Sequence, residues 1–360
     1  MKNKIVYIAL SVDVLHHGHI NLINHAKKYG KIVAGLITDN AISAQKRIPL
    51  LNFAQRKKIL ENISGISKVI PQNEWEYSKN ILKLKPDYMV HGDDWLIGSD
   101  KYLRKGTIEA LKKVGGKLIE IPHTKNISSH SLKERMYFES TISSNRQAML
   151  QRLLKAKGIC RFLETHSPLS AIIAEQVFYK NKKGKKIEFD GFWSSSLTDS
   201  TLKGKPDIEV LDINQRLTNI NDIFDVTTKP LIIDIDTGGK IEHLEINLKT
   251  IERSGASAVI MEDKKGLKKN SLFGNSVKQE QENIKEFSKK LLASKKATTN
   301  KLMIIARIES LILGKPLNDA ILRAEKYVDA GADGIMIHSK NKNPNEIFRF
   351  AEKFRKKFED

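Results

Sequence analysis

The amino-acid sequence predicts an α/β protein: a Rossmann-like parallel sheet followed by a (β/α) barrel. Three observations carry this. Short apolar segments alternate with helix-period segments along the whole chain, the pattern of parallel strands covered by helices on both faces. In the second half, six apolar runs finish in polar or charged clusters, as in a barrel whose site lies at its C-terminal rim. Between the halves, residues 140–147 (Ser-Thr-Ile-Ser-Ser-Asn-Arg-Gln) are polar and read as a junction. This sets domains at 1–140 and 150–360, joined by a linker over 141–149. At 360 residues the chain has room for two domains of ordinary size.

In the first half, residues 5–10 are a strand. Residues 19–29 have helical spacing through Ile20, Leu22, Ile23 and Ala26, with Gly30 as the expected C-cap. Strands follow at 32–37, 68–70, 88–90 and 117–121, and helices at 53–63, 75–84, 106–114 and, from a serine cap, 128–140. The second half places strands near 159–165, 189–195, 231–237, 258–262, 303–309 and 334–338, with helices between them and a lysine-rich helix over 347–358. A closed barrel of this type has about eight strands, so this one is expected to lack the last two.

Composition narrows the function classes. With 40% hydrophobic and 29% charged residues and nine prolines, the chain is globular rather than disordered or collagen-like. A single cysteine, Cys160, excludes a disulfide scaffold and an all-cysteine metal cluster, and fits a reducing cytoplasm. No apolar run approaches the ~18 residues of a transmembrane helix, so no membrane partner is expected. The N-terminus lacks a small-residue cleavage site and reads as a first strand, not a signal peptide. Sixty-two Lys and Arg against 42 Asp and Glu give +20, which favours anionic partners. Nucleic acid is disfavoured: stacking aromatics are sparse, basic runs such as residues 181–186 lie in loops, and no zinc finger, RRM signature or basic zipper is present. Phosphorylated small molecules fit better.

Two clusters point to chemistry. Asp13-Val14-Leu15-His16-His17-Gly18-His19 follows the first strand and opens the first helix, where free N–H groups and the helix dipole favour an anion. Gly18 lets a phosphate approach the backbone. His16 and His19, three apart, can both address the same oxyanions as pyrophosphate departs. The bland alternative is a pair of surface or metal-binding histidines. The second cluster is Asp234-Ile235-Asp236-Thr237-Gly238-Gly239, with both aspartates on one side of the strand, and Glu262-Asp263-Lys264 at the end of the next. Carboxylates converging from neighbouring strand ends repel unless a cation sits between them, and oxygen ligands favour Mg²⁺. Arg307 and His338 add anion binding and a proton donor. The bland alternative there is a ring of rim salt bridges.

In the first domain, His16-His17-Gly18-His19, Gln55-Arg56-Lys57-Lys58-Ile59-Leu60-Glu61, Gly92-Asp93-Asp94-Trp95 and Ile127-Ser128-Ser129-His130 carry a resemblance. Over roughly residues 1–137 the chain resembles the cytidylyltransferases of the glycerol-3-phosphate and phosphocholine type. The resemblance implies attack by a phosphate or phosphonate on the α-phosphorus of CTP, releasing pyrophosphate. His16 and His19 would stabilise the transition state, and Lys46 and Arg56 would hold phosphates. Ser128 and Ser129 would bind the triphosphate from a second helix N-terminus, and Asp94 and Trp95 would lie near the nucleotide. Mg²⁺ is implied because it screens the triphosphate. Leu10-Ser11 stands where the family has glycine-threonine, and His123 where it has arginine; both bear on the acceptor.

Residues 150–360 resemble the phosphoenolpyruvate mutase and isocitrate lyase superfamily. The matching motifs are Glu164-Thr165-His166, Gly191-Phe192-Trp193-Ser194-Ser195-Ser196-Leu197, residues 234–238, Glu262-Asp263-Lys264, Ala306-Arg307-Ile308-Glu309 and His338-Ser339-Lys340. Lyases carry a catalytic cysteine after the glutamate. Here Lys268-Lys269-Asn270-Ser271 resembles the mutase pattern instead, and Cys160 falls in the first barrel strand. The resemblance implies that Trp193 and Ser195 bind substrate and that Asp207 handles the phosphoryl group. It implies that Asp234, Asp236 and Glu262 hold Mg²⁺, directly or through water. Lys268, Asn270 and Ser271 would form a gate, and Arg307 and His338 would bind the phosphoryl and carboxylate ends. Ser196 stands where glycine is usual. The implied reaction moves the phosphoryl group of phosphoenolpyruvate from oxygen to carbon, in a homo-oligomer.

Together the resemblances imply a cytoplasmic bifunctional enzyme of phosphonate biosynthesis. Its partners would be CTP, phosphoenolpyruvate and a phosphonate acceptor such as 2-aminoethylphosphonate. The competing expectations are a cytidylyltransferase for an ordinary phosphate beside an inactive barrel, and a basic non-catalytic scaffold; phosphonopyruvate hydrolase or carbon–carbon lyase activity is disfavoured by Asn270-Ser271 and the cysteine-free loop.

Overall fold

The alternation of the first half builds one parallel sheet, and that of the second half builds another. In the computed structural model, which describes residues 4–45, 48–96, 100–122, 124, 143–182, 186–266, 268 and 279–358, the chain divides near residue 138 into two units, each with its own apolar core.

In the first unit, β1 (Ile5–Leu10), β2 (Lys31–Ile37), β3 (Ile66–Gln72), β4 (Tyr88–Gly92) and β5 (Lys117–Ile121) pair in parallel in the order β3-β2-β1-β4-β5. β1 is apolar throughout because both its faces are covered. Val6, Ile8 and Leu10 pack with Ile23, Ala34 and Leu60 on one side, while Tyr7 and Ala9 pack with Ile81, Met89 and Trp95 on the other. Each Val, Ile, Leu or Met side chain among them taken fully out of water contributes about 1.5–3 kcal/mol. The buried Tyr7 hydroxyl donates to Gln72 Oε1 at 2.5 Å and accepts from Asn80 Nδ2 at 3.1 Å. A Cβ at position 35 would lie 2.0 Å from that hydroxyl, which is why glycine stands there. The strand order reverses between β1 and β4, opening a crevice at their carboxyl ends.

The sequence places the end of the first helix at Gly30. The helix runs His17–Ala26 instead and closes on Lys27 in an ordinary helical conformation. Gly30, at φ 152, serves the turn into β2: a Cβ there would meet the Lys4 carbonyl oxygen at 2.2 Å. The helix expected from residue 106 starts at Lys101, since its first turn is polar and lacks the apolar period. A short helix, Asp39–Ser43, follows β2 and was not legible as periodicity; Thr38 caps it by accepting from the Ala41 N–H at 3.3 Å. The helix expected over 128–140 lies outside the described residues.

The second unit contains β6 (Phe162–Glu164), β9 (Gly191–Ser194), β10 (Leu231–Asp234), β11 (Ala258–Glu262), β12 (Met303–Ile308) and β13 (Gly334–Ile337); between β6 and β9 the chain forms a two-stranded ribbon of β7 (Phe178–Lys180) and β8 (Lys186–Glu188), most of whose residues group with the first unit. β6 and β9 to β13 form a six-stranded parallel sheet in sequence order, as in a (β/α) barrel. Cys160, expected inside the first of these strands, precedes it. Phe192, Ile233, Val259, Met261, Ile304 and Ala306 face the helices Ile213–Val226, Ile241–Ser254, Ile284–Ala297 and Leu317–Asp329 and build the core. Side chains alternate along a strand, so Trp193, Asp234, Glu262, Arg307 and His338 take the other face. Among the described residues, no helix is long and apolar enough to cross a membrane.

Candidate active sites

After β1 the chain turns sharply. Val12 is buried at φ 46, a left-handed conformation that costs a β-branched residue about 1–3 kcal/mol. The turn is fastened from behind. Asp13 Oδ1 accepts from the N–H groups of Leu50 (2.6 Å) and Leu51 (3.4 Å). Arg56 is completely buried; its guanidinium donates to Leu51 O (3.1 Å), Ser11 O and Asp39 Oδ1 (2.6 Å). Arg56, expected to hold phosphate, thus spends these donors on the chain and sets the shape of the turn.

The turn delivers His16 to the N-terminus of the first helix. The His16 N–H donates to His19 Nδ1 at 3.3 Å, and the two rings lie 3.9 Å apart. A Cβ on Gly18 would come within 2.9 Å of His16 Nδ1, so glycine leaves room for the ring. Burial, and then the neighbouring His16, push His19 down to about 4. It is therefore neutral at pH 7 with Nδ1 accepting, which puts its proton on Nε2, free to donate to an oxyanion. Unfolded histidine titrates near 6.5, so this stabilisation is present above that pH and is lost as pH falls toward 4. NMR titration of the free protein should give a His19 midpoint near 4; an ordinary histidine midpoint would refute the burial argument.

β4 ends at the same crevice. Asp94 is exposed, in the short 3₁₀ turn Asp93–Leu96. Trp95, expected near the nucleotide, is buried and donates from Nε1 to Glu120 Oε1 at 2.7 Å; Glu120 also accepts from Arg104 at 2.8 and 2.9 Å. The indole therefore braces β4 against β5. His91, which sequence reasoning passed over, stacks on it at 3.7 Å with an 8° interplanar angle. Lys46, Ser128 and Ser129 lie outside the described residues.

At the barrel strand ends, Asp236 sits at φ 55, two residues past β10, and its N–H donates to Asp234 Oδ1 at 2.9 Å. The Lys268 ammonium lies 2.7 Å from Asp236 Oδ1, 3.1 Å from Asp207 Oδ1 and 2.5 Å from Ser196 Oγ, and that hydroxyl is 3.3 Å from Asp234 Oδ2. Burial works against this ammonium, but Asp234, Asp236 and Glu262 outweigh it and raise its pKa. Arg307 Nη1 is 3.8 Å from Asp234 Oδ2 and Nη2 is 3.6 Å from Glu262 Oε2. The structure thus brings Asp207, Asp234, Asp236, Glu262, Lys268 and Arg307 together. Burial, and then Asp234, raise Asp236; burial raises Glu262 despite Arg307 and Lys264. Trp193 Nε1 is buried without a hydrogen-bond partner among the described residues, and Ser195 stands at the N-cap of helix Ser196–Leu202. Asn270 and Ser271 lie outside the described residues.

Two further side chains shape this cluster. Arg216, on the buried stripe of its helix, donates to Asp199 Oδ2 (2.9 Å), Ser194 Oγ (3.1 Å) and the Asp234 carbonyl, locking the ends of β9 and β10. An arginine among the helix's apolar positions was the available signal. Asp263 does not join the acids as the sequence suggests. One residue past Glu262, it points to the opposite side and accepts from Tyr327 (2.7 Å), Gln281 (2.8 Å), Arg323 (3.1 Å) and the Glu309 N–H (2.9 Å).

The donor set suits a hard divalent cation: carboxylates from neighbouring strand ends, with both Glu262 oxygens buried and without a hydrogen bond among the described residues. As placed, no three His, Cys, Asp or Glu among those residues close around one point. The positive charge between Asp207 and Asp236 is the Lys268 ammonium.

Comparison with known proteins matches residues 150–358 to the phosphoenolpyruvate phosphomutase family and residues 11–135 to the cytidylyltransferase-like family. A solved phosphoenolpyruvate phosphomutase from Streptomyces platensis subsp. rosaceus is similar at 34% identity and TM-score 0.52, over 58% of this chain and 69% of that one. A phosphonopyruvate hydrolase solved with oxalate and Mg²⁺ is similar at 32% identity and TM-score 0.50, over 58% of this chain and 68% of that one. Glycerol-3-phosphate cytidylyltransferase of Bacillus subtilis is 33% identical over 138 residues, 38% of this chain and 98% of that protein.

Proposed function

The chain belongs to the phosphoenolpyruvate phosphomutase family through residues 150–358 and to the cytidylyltransferase-like family through residues 11–135, and from that premise we propose a bifunctional enzyme of phosphonate biosynthesis. The observation that carries the reading is the pairing, on one chain, of an acid cluster facing Arg307 at barrel strand ends with two imidazoles at a helix N-terminus.

In the barrel, the phosphoryl group of phosphoenolpyruvate leaves the enol oxygen and bonds to the methylene carbon; the enol becomes a ketone and no atom is lost. Arg307 and His338 bind the anionic ends of the substrate. Asp207, buried beside Lys268, faces the migrating group. Asp234, Asp236 and Glu262 would hold Mg²⁺, which when bound supplies charge neutralisation to the substrate oxygens. Burial of the cluster keeps water from intercepting the phosphoryl group. In the N-terminal unit, a phosphonate oxygen attacks the α-phosphorus of CTP, and the bond to the β-phosphate breaks with pyrophosphate as the leaving group. His19 Nε2–H and the helix N–H groups donate to the charge that develops. The acceptor we favour is 2-aminoethylphosphonate, the class of product that a mutase would ultimately feed. A second reading, hydrolysis of phosphonopyruvate, is favoured by the near-equal identity to a hydrolase (32%) and to a mutase (34%).

One assay separates these. With Mg²⁺ and phosphonopyruvate, ³¹P NMR is expected to show phosphoenolpyruvate; inorganic phosphate with no phosphoenolpyruvate signal would mean hydrolase. If neither appears, the barrel is inactive. Pyrophosphate release from CTP should be faster with 2-aminoethylphosphonate than with glycerol-3-phosphate or phosphocholine. Equal rates would remove the phosphonate assignment.

A further inference from the structure

We propose that Glu309 is a positioning residue that makes Arg307 and His338 a single anion-binding pair, an inference that rests on the barrel reading above. Glu309 is fully buried. Its Oε1 accepts from Arg307 Nε at 2.9 Å and lies 2.6 Å from His338 Nε2, while Oε2 is 3.5 Å from Lys264 Nζ. Its own N–H is held by Asp263 Oδ1 at 2.9 Å, and Asp263 is in turn held by Tyr327, Gln281 and Arg323. The carboxylate therefore has little freedom to move.

Three consequences follow from that placement. Burial alone would raise Glu309, but the His338 hydrogen bond and the Arg307 charge outweigh it and hold it well below the usual carboxylate range. An ionised carboxylate only accepts, so the ring nitrogen facing it, His338 Nε2, carries a proton. The 3.3 Å approach of Arg307 Nε to His338 Nε2 is then that of two donors converging on one oxygen. Arg307, tied at Nε, keeps Nη1 and Nη2 as a fork, held 3.8 and 3.6 Å from Asp234 and Glu262. Released, that fork would close onto those acids, and the anion would lose its partner.

The test uses the full chain with ¹⁵N-labelled histidine at fixed neutral pH. His338 is assigned with a His338→Asn variant. The wild-type ring should carry a proton on Nε2; a ring protonated at Nδ1 alone overturns the proposal outright, with no need of a Glu309 variant. Glu309→Gln should change the His338 pattern and raise the dissociation constant of oxalate, measured calorimetrically with saturating Mg²⁺, by at least ~10-fold. An unchanged ring together with affinity within about twofold would sink it, since removing a carboxylate that orients the side chains holding a ligand normally costs more. If oxalate fails to bind the wild type, the substrate reading fails, while the ring tautomer still decides the role of Glu309.

Discussion

Asp236→Asn is expected to lower barrel turnover by about 10²–10³-fold while leaving pyrophosphate release from CTP unchanged. Asparagine tolerates the left-handed conformation at φ 55 better than any residue but glycine, so the turn after β10 survives. Only the charge goes. Lys268 loses its 2.7 Å partner but keeps Asp207 and Ser196, so the ammonium is not left bare. Losing one preorganised electrostatic contact in a water-excluded site costs about 2.7–4 kcal/mol of transition-state stabilisation, and each ~1.4 kcal/mol is tenfold in rate. The ³¹P assay reads the first activity and pyrophosphate release the second. Full barrel turnover in the variant would remove Asp236 from the acid cluster's function. Loss of both activities would show that the substitution acts through folding.

His19→Gln should have the mirror effect, lowering cytidylyl transfer by about 10²–10³-fold and sparing the barrel. Glutamine at this position can still accept from the helix-capping N–H, as His19 Nδ1 does from His16 at 3.3 Å, so the helix start is preserved. What disappears is the Nε2–H donor of a neutral imidazole. Steady-state kinetics should place the loss in kcat, because the donor meets charge that develops only as pyrophosphate leaves. A variant that raises KM alone would make His19 a ground-state binding residue.

Much of this was legible from residue spacing. Alternation along β9 and β10 predicts that Trp193 and Asp234 take the face opposite the core, and the six barrel strands fall where apolar runs end in polar clusters; Asp236 lies past the end of β10, where strand alternation no longer applies. Spacing fails where a single residue flips the outcome. Asp263 adjoins Glu262 in sequence but belongs to the helix-facing side, where Arg323 and Tyr327 reach it. Arg56 and Trp95 read as ligand-binding residues because the resemblance to cytidylyltransferases implies it. Their burial and hydrogen bonds come from tertiary partners, Asp39 and Glu120, that no local pattern announces. The left-handed turn at Val12 was likewise invisible, since a β-branched residue disfavours that conformation. Glu309 was written in the Arg307-Ile308-Glu309 run; its importance lies in His338, 29 residues away.

Because the N-terminal sheet and the six-stranded sheet each enclose a separate apolar core, this chain has no single free energy of unfolding. A scanning trace of the whole protein is expected to be a superposition of endotherms. A midpoint shift measured on the intact chain therefore has to be assigned to one half before it can be compared with the mutation that caused it.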